Sequence, residues 1–235
     1  MLTQDVQTNT QNTALNVVII GATGAVGTEV VRTLITQDNI ATITLLGRRE
    51  FTALTHNKII QHIIDIEDPS SYSLHLNNMD AAICTLGVGQ PSKTSKAAFL
   101  KIDRDAVLNF GHAAKEADIT HFSLLSSIGA NSRSASFFLR SKGELEDGLK
   151  ALSFRRLSLF HPSMILTPTN RYGFSQALTL AIWPLLTPLL IGPLKKARGI
   201  RVATLGQAFA RNLALEGSRV EVLTWQAFIN MARSQ

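Results

Sequence analysis

Three glycines spaced three apart stand in the run Gly21-Ala22-Thr23-Gly24-Ala25-Val26-Gly27, directly after the β-branched stretch Asn16 to Ile20. Glycine permits a tight strand-to-helix turn and lets a diphosphate approach the backbone, where the N–H groups and dipole of a helix N-terminus bind it. Gly21, Thr23, Gly24, Ala25, Val26 and Gly27 are therefore read as the cradle of a dinucleotide, the plainer alternative being a glycine-rich turn without a ligand. A second apolar run ends in Leu46-Gly47-Arg48-Arg49. An NAD-selective protein places an acid at that point to bind the ribose 2′-hydroxyl. Arg48 and Arg49 would instead hold a 2′-phosphate in charge-assisted bonds, so the expected cofactor is NADP; the alternative is a solvated pair partly neutralised by Glu50. Asp65 follows a third apolar run, where it either accepts a bond from the adenine amino group or caps a turn. Thr85, Leu86 and Gly87 close a fourth run, and Leu86 and Gly87 let a cofactor lie against the backbone.

Other chemistries are thinly represented. Cys84 is the single cysteine, so no internal disulfide and no cysteine cluster for a structural metal is possible. It reads as a small core residue rather than a nucleophile, because no histidine lies close in sequence. Six histidines are scattered without a two-histidine metal spacing, and no metal is expected.

The groups above need elements to position them. At 235 residues and 25.6 kDa the chain is one large domain with an embellishment, taking roughly 150 residues per domain. With 45% hydrophobic and 17% charged residues it is neither disordered, collagen-like nor a coiled coil. Val26, Val30, Val31 and Leu34 recur at three- and four-residue steps, so the first strand feeds a helix running to Ile35. Further apolar runs fall at Ile43 to Leu46, Ile59 to Ile64, Ala81 to Leu86, Phe122 to Leu125 and Leu157 to Phe160. Helical patterns cover Ala97 to Ala117 and Phe137 to Leu152. Strands alternating with helices predict an α/β fold, a doubly wound parallel sheet of Rossmann type, with ligands beyond the carboxyl ends of its strands. Residues 16–235 are expected to form this single unit, with Ile200 to Leu215 bearing a helix and Val220 to Leu223 a last strand. Residues 1–15 are expected to be a disordered polar tail.

GATGAVG, Gly-Arg-Arg after the second strand, Asp103-Arg104-Asp105, Leu124-Leu125-Ser126-Ser127 and Ser141-Lys142-Gly143-Glu144 together resemble the atypical short-chain dehydrogenase/reductases, nearest to the Tat-interacting oxidoreductase-like subgroup. The likeness spans about Asn16 to Pro162. It implies a Rossmann unit binding NADP(H), with a small, mostly helical C-terminal region over residues 163–201 acting as a lid on the substrate. It also implies roles for particular side chains. In that superfamily a serine positions the substrate carbonyl, a tyrosine four residues before a lysine exchanges the proton, and the lysine holds the nicotinamide ribose. Ser127, with Ser126 as its neighbour, fits the serine and Lys142 fits the lysine. The tyrosine position is Phe138, eleven residues after Ser127 and four before Lys142. A phenyl ring exchanges no proton, and general acid–base catalysis commonly contributes about 10² to 10⁴ in rate. Tyr172 and His161 are the candidate replacements, and Pro162 keeps the family's proline beside the nicotinamide. Alternatively, Phe138 belongs to an apolar helix stripe with Phe137, Leu145 and Leu149, and Lys142 is a solvated lysine paired with Glu146 one turn on.

Ala177 to Leu194 is eighteen residues without a charge, long enough for a membrane span, but Pro184, Pro188 and Pro193 interrupt a regular helix. The segment is expected to cover a lipophilic small-molecule substrate or to meet a second subunit in a homo-oligomer. Lys195, Lys196, Arg198 and Arg201 follow it, suiting either solvated surface or peripheral contact with an anionic membrane. A net charge of +6 fits anionic partners generally. No nucleic-acid partner is expected, since the basic run lacks interleaved aromatics and any nucleic-acid signature. The first fifteen residues hold no Lys or Arg and no apolar run, which matches neither a signal nor a transit peptide and points to the cytoplasm. The expected function is NADP(H)-dependent oxidoreduction of a lipophilic carbonyl or alcohol; the alternative is a catalytically silent NADP(H)-binding module with a regulatory or membrane-associated role.

Overall fold

Strict alternation along the first strand, β1 (Leu15–Ile20), sends its side chains into two different cores. Val17 and Ile19 join one apolar cluster while Val18 and Ile20 join the other, all four wholly buried. That pattern requires cover on both faces of the sheet, as parallel strands demand. The computed structural model describes residues 14–88, 94–168 and 192–233. Within them, β1 is flanked by β2 (Ile40–Gly47) and β4 (Ala81–Cys84), and β3 (Ile59–Ile63), β5 (His121–Leu125), β6 (Arg156–Phe160) and β9 (Val220–Leu223) complete a seven-stranded sheet in the order β3-β2-β1-β4-β5-β6-β9. All its pairings are parallel. The order reverses between β1 and β4, which puts the switch point above the glycine turn.

The helix α1 (Ala25–Leu34) covers one face with α5 (Val202–Asn212), and the two cross closely at Gly206, where an added Cβ would lie 2.7 Å from the Glu29 carbonyl carbon. α6 (Trp225–Arg233) packs there as well, its Phe228 ring parallel to Phe160, while Phe209 of α5 stacks on Phe160 at 3.6 Å. The other face is covered by α3 (Val107–Glu116) and α4 (Phe137–Ala151). Burying one such aromatic or aliphatic side chain contributes about 1.5–3 kcal/mol, so the two clusters supply most of the driving force.

The elements follow the sequence pattern closely, with three differences. The stretch read as one helix from Ala97 to Ala117 is α2 (Lys96–Leu100), a π-helical turn over Lys101–Ala106 and then α3. Leu15, assigned above to the polar tail, opens β1, and the fourth strand stops at Cys84 rather than Leu86. Short strands β7 (Ile165–Leu166) and β8 (Ile200–Arg201) pair in parallel and close the base of the segment between them. Residues 169–191, and with them Tyr172 and most of Ala177 to Leu194, lie outside the described residues. No helix among the described residues is long and apolar enough to cross a membrane.

Candidate functional site

Gly21 takes φ +93°, and a Cβ there would lie 2.6 Å from Leu86 N, so only glycine fits between β1 and the end of β4. The Thr85 hydroxyl donates to the Gly21 carbonyl at 3.1 Å, and the Thr28 hydroxyl donates to the carbonyls of Ala22 and Gly24. Gly27 is likewise pressed against Ala22 and Thr85. Gly24 differs: beyond the Gly21 oxygen at 3.2 Å, nothing meets its added Cβ. It is the N-cap of α1, with no side-chain cap and no acid in the first turn. An uncapped helix N-terminus opening onto free space is what an anionic diphosphate requires, so the residues present fit a dinucleotide.

On one side of this turn Gly21, Thr23, Arg48, Arg49, His62 and Leu86 line a pocket over the ends of β1 and β2. Arg48 and Arg49 are exposed and enter none of the ion pairs formed among the described residues, with Glu50 or any other acid. His62 stacks on His75 with ring centroids 3.6 Å apart, and burial together with that neighbouring ring lowers its pKa. Asp65 does not face the pocket. It is exposed and accepts the Glu67 N–H at 2.9 Å, capping a turn, while Ile66 takes the pocket position. Tyr72 is wholly buried in the core with its hydroxyl unpaired, and burial pushes its pKa up to about 12.

On the other side Gly24, Ala25, Val26, Leu86, Gly87 and Val88 form one wall of a cleft whose far wall holds Leu125, Ser126, Phe138, Lys142 and Ile165. Leu86 borders both spaces, so one extended ligand can follow the glycine turn from pocket to cleft. Phe138 is half-buried, tilted against Phe99 at 5.9 Å between centroids. It faces the cleft one turn before Lys142 instead of joining Leu145 and Leu149 in the core. Lys142 is not solvated: its side chain is 6% exposed and its Nζ lies 3.1 Å from Asp103 Oδ1. Asp103, carried on the π-helical turn, also accepts the Val88 N–H at 2.6 Å through Oδ2. Glu146, the partner of Lys142 only in the alternative of a solvated lysine, turns elsewhere.

Glu146 is buried, and its Oε1 accepts from the Ser126 hydroxyl and sits 2.7 Å from His161 Nε2. Register explains the meeting. Leu125 of β5 pairs with Phe160 of β6, so the next residues, Ser126 and His161, emerge side by side at the carboxyl ends. Ser126, rather than Ser127, therefore borders the cleft; Ser127 is half-buried and its hydroxyl reaches only the Ile128 carbonyl, at 3.4 Å. Pro162 is buried behind them, its carbonyl accepting the Ile128 N–H. Cys84 is fully buried and its thiol is pushed up to about 12 by desolvation, which leaves no thiolate for nucleophilic chemistry. Asp103 stands in the sequence motif without a role, and Glu146 enters only in the alternative that leaves Lys142 solvated. The available signal was that Lys142 and Glu146 share the helix stripe of Leu145 and Leu149, which points to burial but does not name their partners.

The fold, the glycine turn and the cleft define a dinucleotide-binding protein of Rossmann type. Residues 21–154 match the NAD(P)H-binding family, and the chain belongs to it, as an atypical short-chain dehydrogenase/reductase. It is similar to Protein HTATIP2 of Rattus norvegicus, 30% identical over 223 residues covering 93% of this chain and 89% of that one. Protein FMP52, mitochondrial, of Coccidioides immitis is 31% identical over 158 residues, 63% of this chain and 64% of that one. Among solved structures, MoeE5 in complex with UDP-glucuronic acid and NAD superposes with a TM-score of 0.69 at 14% identity, covering 88% of this chain and 75% of that one.

Proposed function

We propose that the protein is an NADP(H)-dependent oxidoreductase acting on a lipophilic carbonyl or alcohol in the cytoplasm, with Phe138 standing where the family's catalytic tyrosine is expected. The observation that carries this reading is the shared cleft of Gly24, Phe138 and Lys142, which sets the family's lysine position against the diphosphate cradle. When bound, NADPH supplies the hydride. Arg48 and Arg49 select it by its 2′-phosphate. Lys142, fixed by Asp103, holds the nicotinamide ribose, and Ser126 with Ser127 behind it positions the carbonyl. Val26, Leu86, Val88, Leu125 and Ile165 make the walls apolar, which favours a lipophilic substrate.

The missing hydroxyl at Phe138 favours a second reading, a catalytically silent NADP(H)-binding module acting through a partner or a membrane surface. Two measurements decide. Titration followed by nucleotide fluorescence is expected to give at least about tenfold tighter binding of NADPH than NADH, matching one charge-assisted contact. NADPH oxidation with nonanal is then expected in the wild type and is raised in Phe138→Tyr. Absence of binding by either nucleotide overturns both readings; binding without turnover in either protein leaves the silent module.

A further inference from the structure

Resting on the oxidoreductase reading, we infer that Ser126, Glu146 and His161 are the proton source of this cleft, with Ser126 the catalytic residue and the other two its positioning and supply. The three side chains come from three elements and are almost wholly withdrawn from water, at 6%, 3% and 8% exposure. Both Ser126 Oγ and His161 Nε2 converge on the same carboxylate oxygen, Glu146 Oε1. The His161 main chain is tied to β9 through its N–H to the Leu223 carbonyl at 2.8 Å, which fixes the chain that carries the imidazole. Only Ser126 of the three borders the cleft, together with Phe138 and Lys142. At the other end Glu146 Oε2 lies 3.6 Å from Lys150 Nζ, whose side chain is 39% exposed. The cluster therefore runs from the cleft to the surface.

The order of contacts excludes a hydrolase triad. There the imidazole touches the serine and removes its proton, whereas here the hydroxyl meets the carboxylate and the imidazole lies on the far side of it. A serine so placed gives a proton rather than attacking. Among the described residues, the charged and titratable groups facing His161 are Glu146 and, behind it, Lys150, both on α4; Lys142 is occupied by Asp103. A network of this kind is strengthened by low local dielectric.

The step balances as follows. Hydride adds to the carbonyl carbon, and the carbonyl π pair moves onto oxygen. The Ser126 hydroxyl turns its proton from Glu146 Oε1 to that oxygen, Glu146 Oε1 takes a proton from the His161 imidazolium, and Ser126 Oγ then takes that proton from Oε1. NADPH, the carbonyl compound and one imidazolium proton give NADP⁺, the alcohol and neutral imidazole. The proton returns from solvent by way of Lys150 and Glu146. Phe138 carries no exchangeable proton, so the cleft needs another donor.

The test uses the full chain, NADPH, and nonanal and 2-nonanone as carbonyl probes. Ser126→Ala is expected to slow single-turnover NADPH oxidation about 10²-fold with NADPH affinity unchanged, and Phe138→Tyr in that background to restore it, because a phenol then supplies the proton. His161→Gln is expected to slow the same step with NADPH affinity unchanged, and Phe138→Tyr in that background to restore it. Independently of turnover, a downfield proton resonance from His161 Nε2–H is expected, shifted in Ser126→Ala and lost in Glu146→Gln. A wild type that turns over no faster than Ser126→Ala, or a resonance indifferent to Ser126, overturns the inference alone. A wild type that binds NADPH yet oxidises it with neither probe overturns the oxidoreductase reading and the proton source with it.

Discussion

The Lys142 ammonium and the Asp103 carboxylate meet at 3.1 Å with side-chain exposures of 6% and 4%, an ion pair sealed between α4 and the π-helical turn before α3. The second carboxylate oxygen holds the Val88 N–H, so a single acid joins the helix, the turn and the chain leaving β4. A buried charge pair is weak evidence for stability by itself, since desolvation offsets much of the attraction. It does fix direction: Asp103 holds the Lys142 ammonium in the cleft that Gly24 and Gly87 also line. Single-turn π-helical insertions concentrate at functional positions, and here the insertion is what brings Asp103 inward.

Removing one partner strands the other. Asp103→Ala is expected to cost about 3–5 kcal/mol in urea unfolding, because Lys142 then stays buried without compensation. Replacing both, Asp103→Leu with Lys142→Met, is expected to recover most of that loss while NADPH binding stays weak. A cost below about 1 kcal/mol for Asp103→Ala would mean that the lysine escapes to water.

The glycines of the turn are expected to separate into two classes. Gly21→Ala adds a Cβ at φ +93° and 2.6 Å from Leu86 N, so it is expected to lower the melting temperature together with cofactor binding. Gly24→Ala meets only the Gly21 oxygen at 3.2 Å and keeps φ −74°, so the fold tolerates it. Its methyl group would nevertheless occupy the space left for a diphosphate. Thermal melts near wild type with NADPH affinity reduced at least about tenfold are the expected pair of results, one lost charge-assisted bond being enough. Unchanged affinity would place the diphosphate elsewhere.

Arg48 and Arg49 line the pocket without an acid partner among the described residues. Arg48→Ala and Arg49→Ala are each expected to weaken NADPH by about 1.5–3 kcal/mol, roughly 10- to 150-fold, while leaving NADH almost unchanged. The difference between nucleotides is the diagnostic quantity, read by fluorescence titration at fixed salt, since screening weakens exposed charge contacts. Equal losses for both nucleotides would tie the arginines to the diphosphate or to the fold.

The sheet was legible because its strands are short β-branched or aliphatic runs punctuated by glycine turns, and because periodicity changes from two to 3.6 between them. Gly21, Gly24 and Gly27 were legible for the same reason: close approach leaves glycine no substitute. The cleft was less so. Residues Lys101 to Ala106 continue an apolar period of 3.6, so no local feature marks the π-helical turn that turns Asp103 inward. Glu146 at four residues from Lys142 has the spacing of a surface ion pair, and only the position of α4 against β5 and β6 draws it to Ser126 and His161. Ser126 and Ser127 are adjacent, and the register of β5 against β6 decides which one borders the cleft. Partners that come from separate elements leave no trace in sequence spacing.

A second buried polar cluster, at the amino ends of the same strands, governs the pH dependence of stability. His121 Nε2 lies 2.8 Å from Ser158 Oγ, and Ser158 reaches Glu221, which in turn pairs with Arg156 at 2.7 Å. Burial first, then the Arg156 charge, depresses the His121 pKa from 6.5 to about 3. The imidazole is thus neutral in the folded protein, while the unfolded chain binds a proton below about pH 6.5. Between about pH 6.5 and 3 the unfolded state holds the extra proton, so this contribution is complete above the upper limit and is lost as the pH falls. The slope approaches about 1.4 kcal/mol per pH unit, or about 2 kcal/mol between pH 6.5 and 5. Urea midpoints at pH 7 and pH 5 should show that fall in the wild type and a much smaller one in His121→Gln, whatever the variant costs at pH 7. Parallel slopes in the two proteins would show that His121 takes up its proton without unfolding.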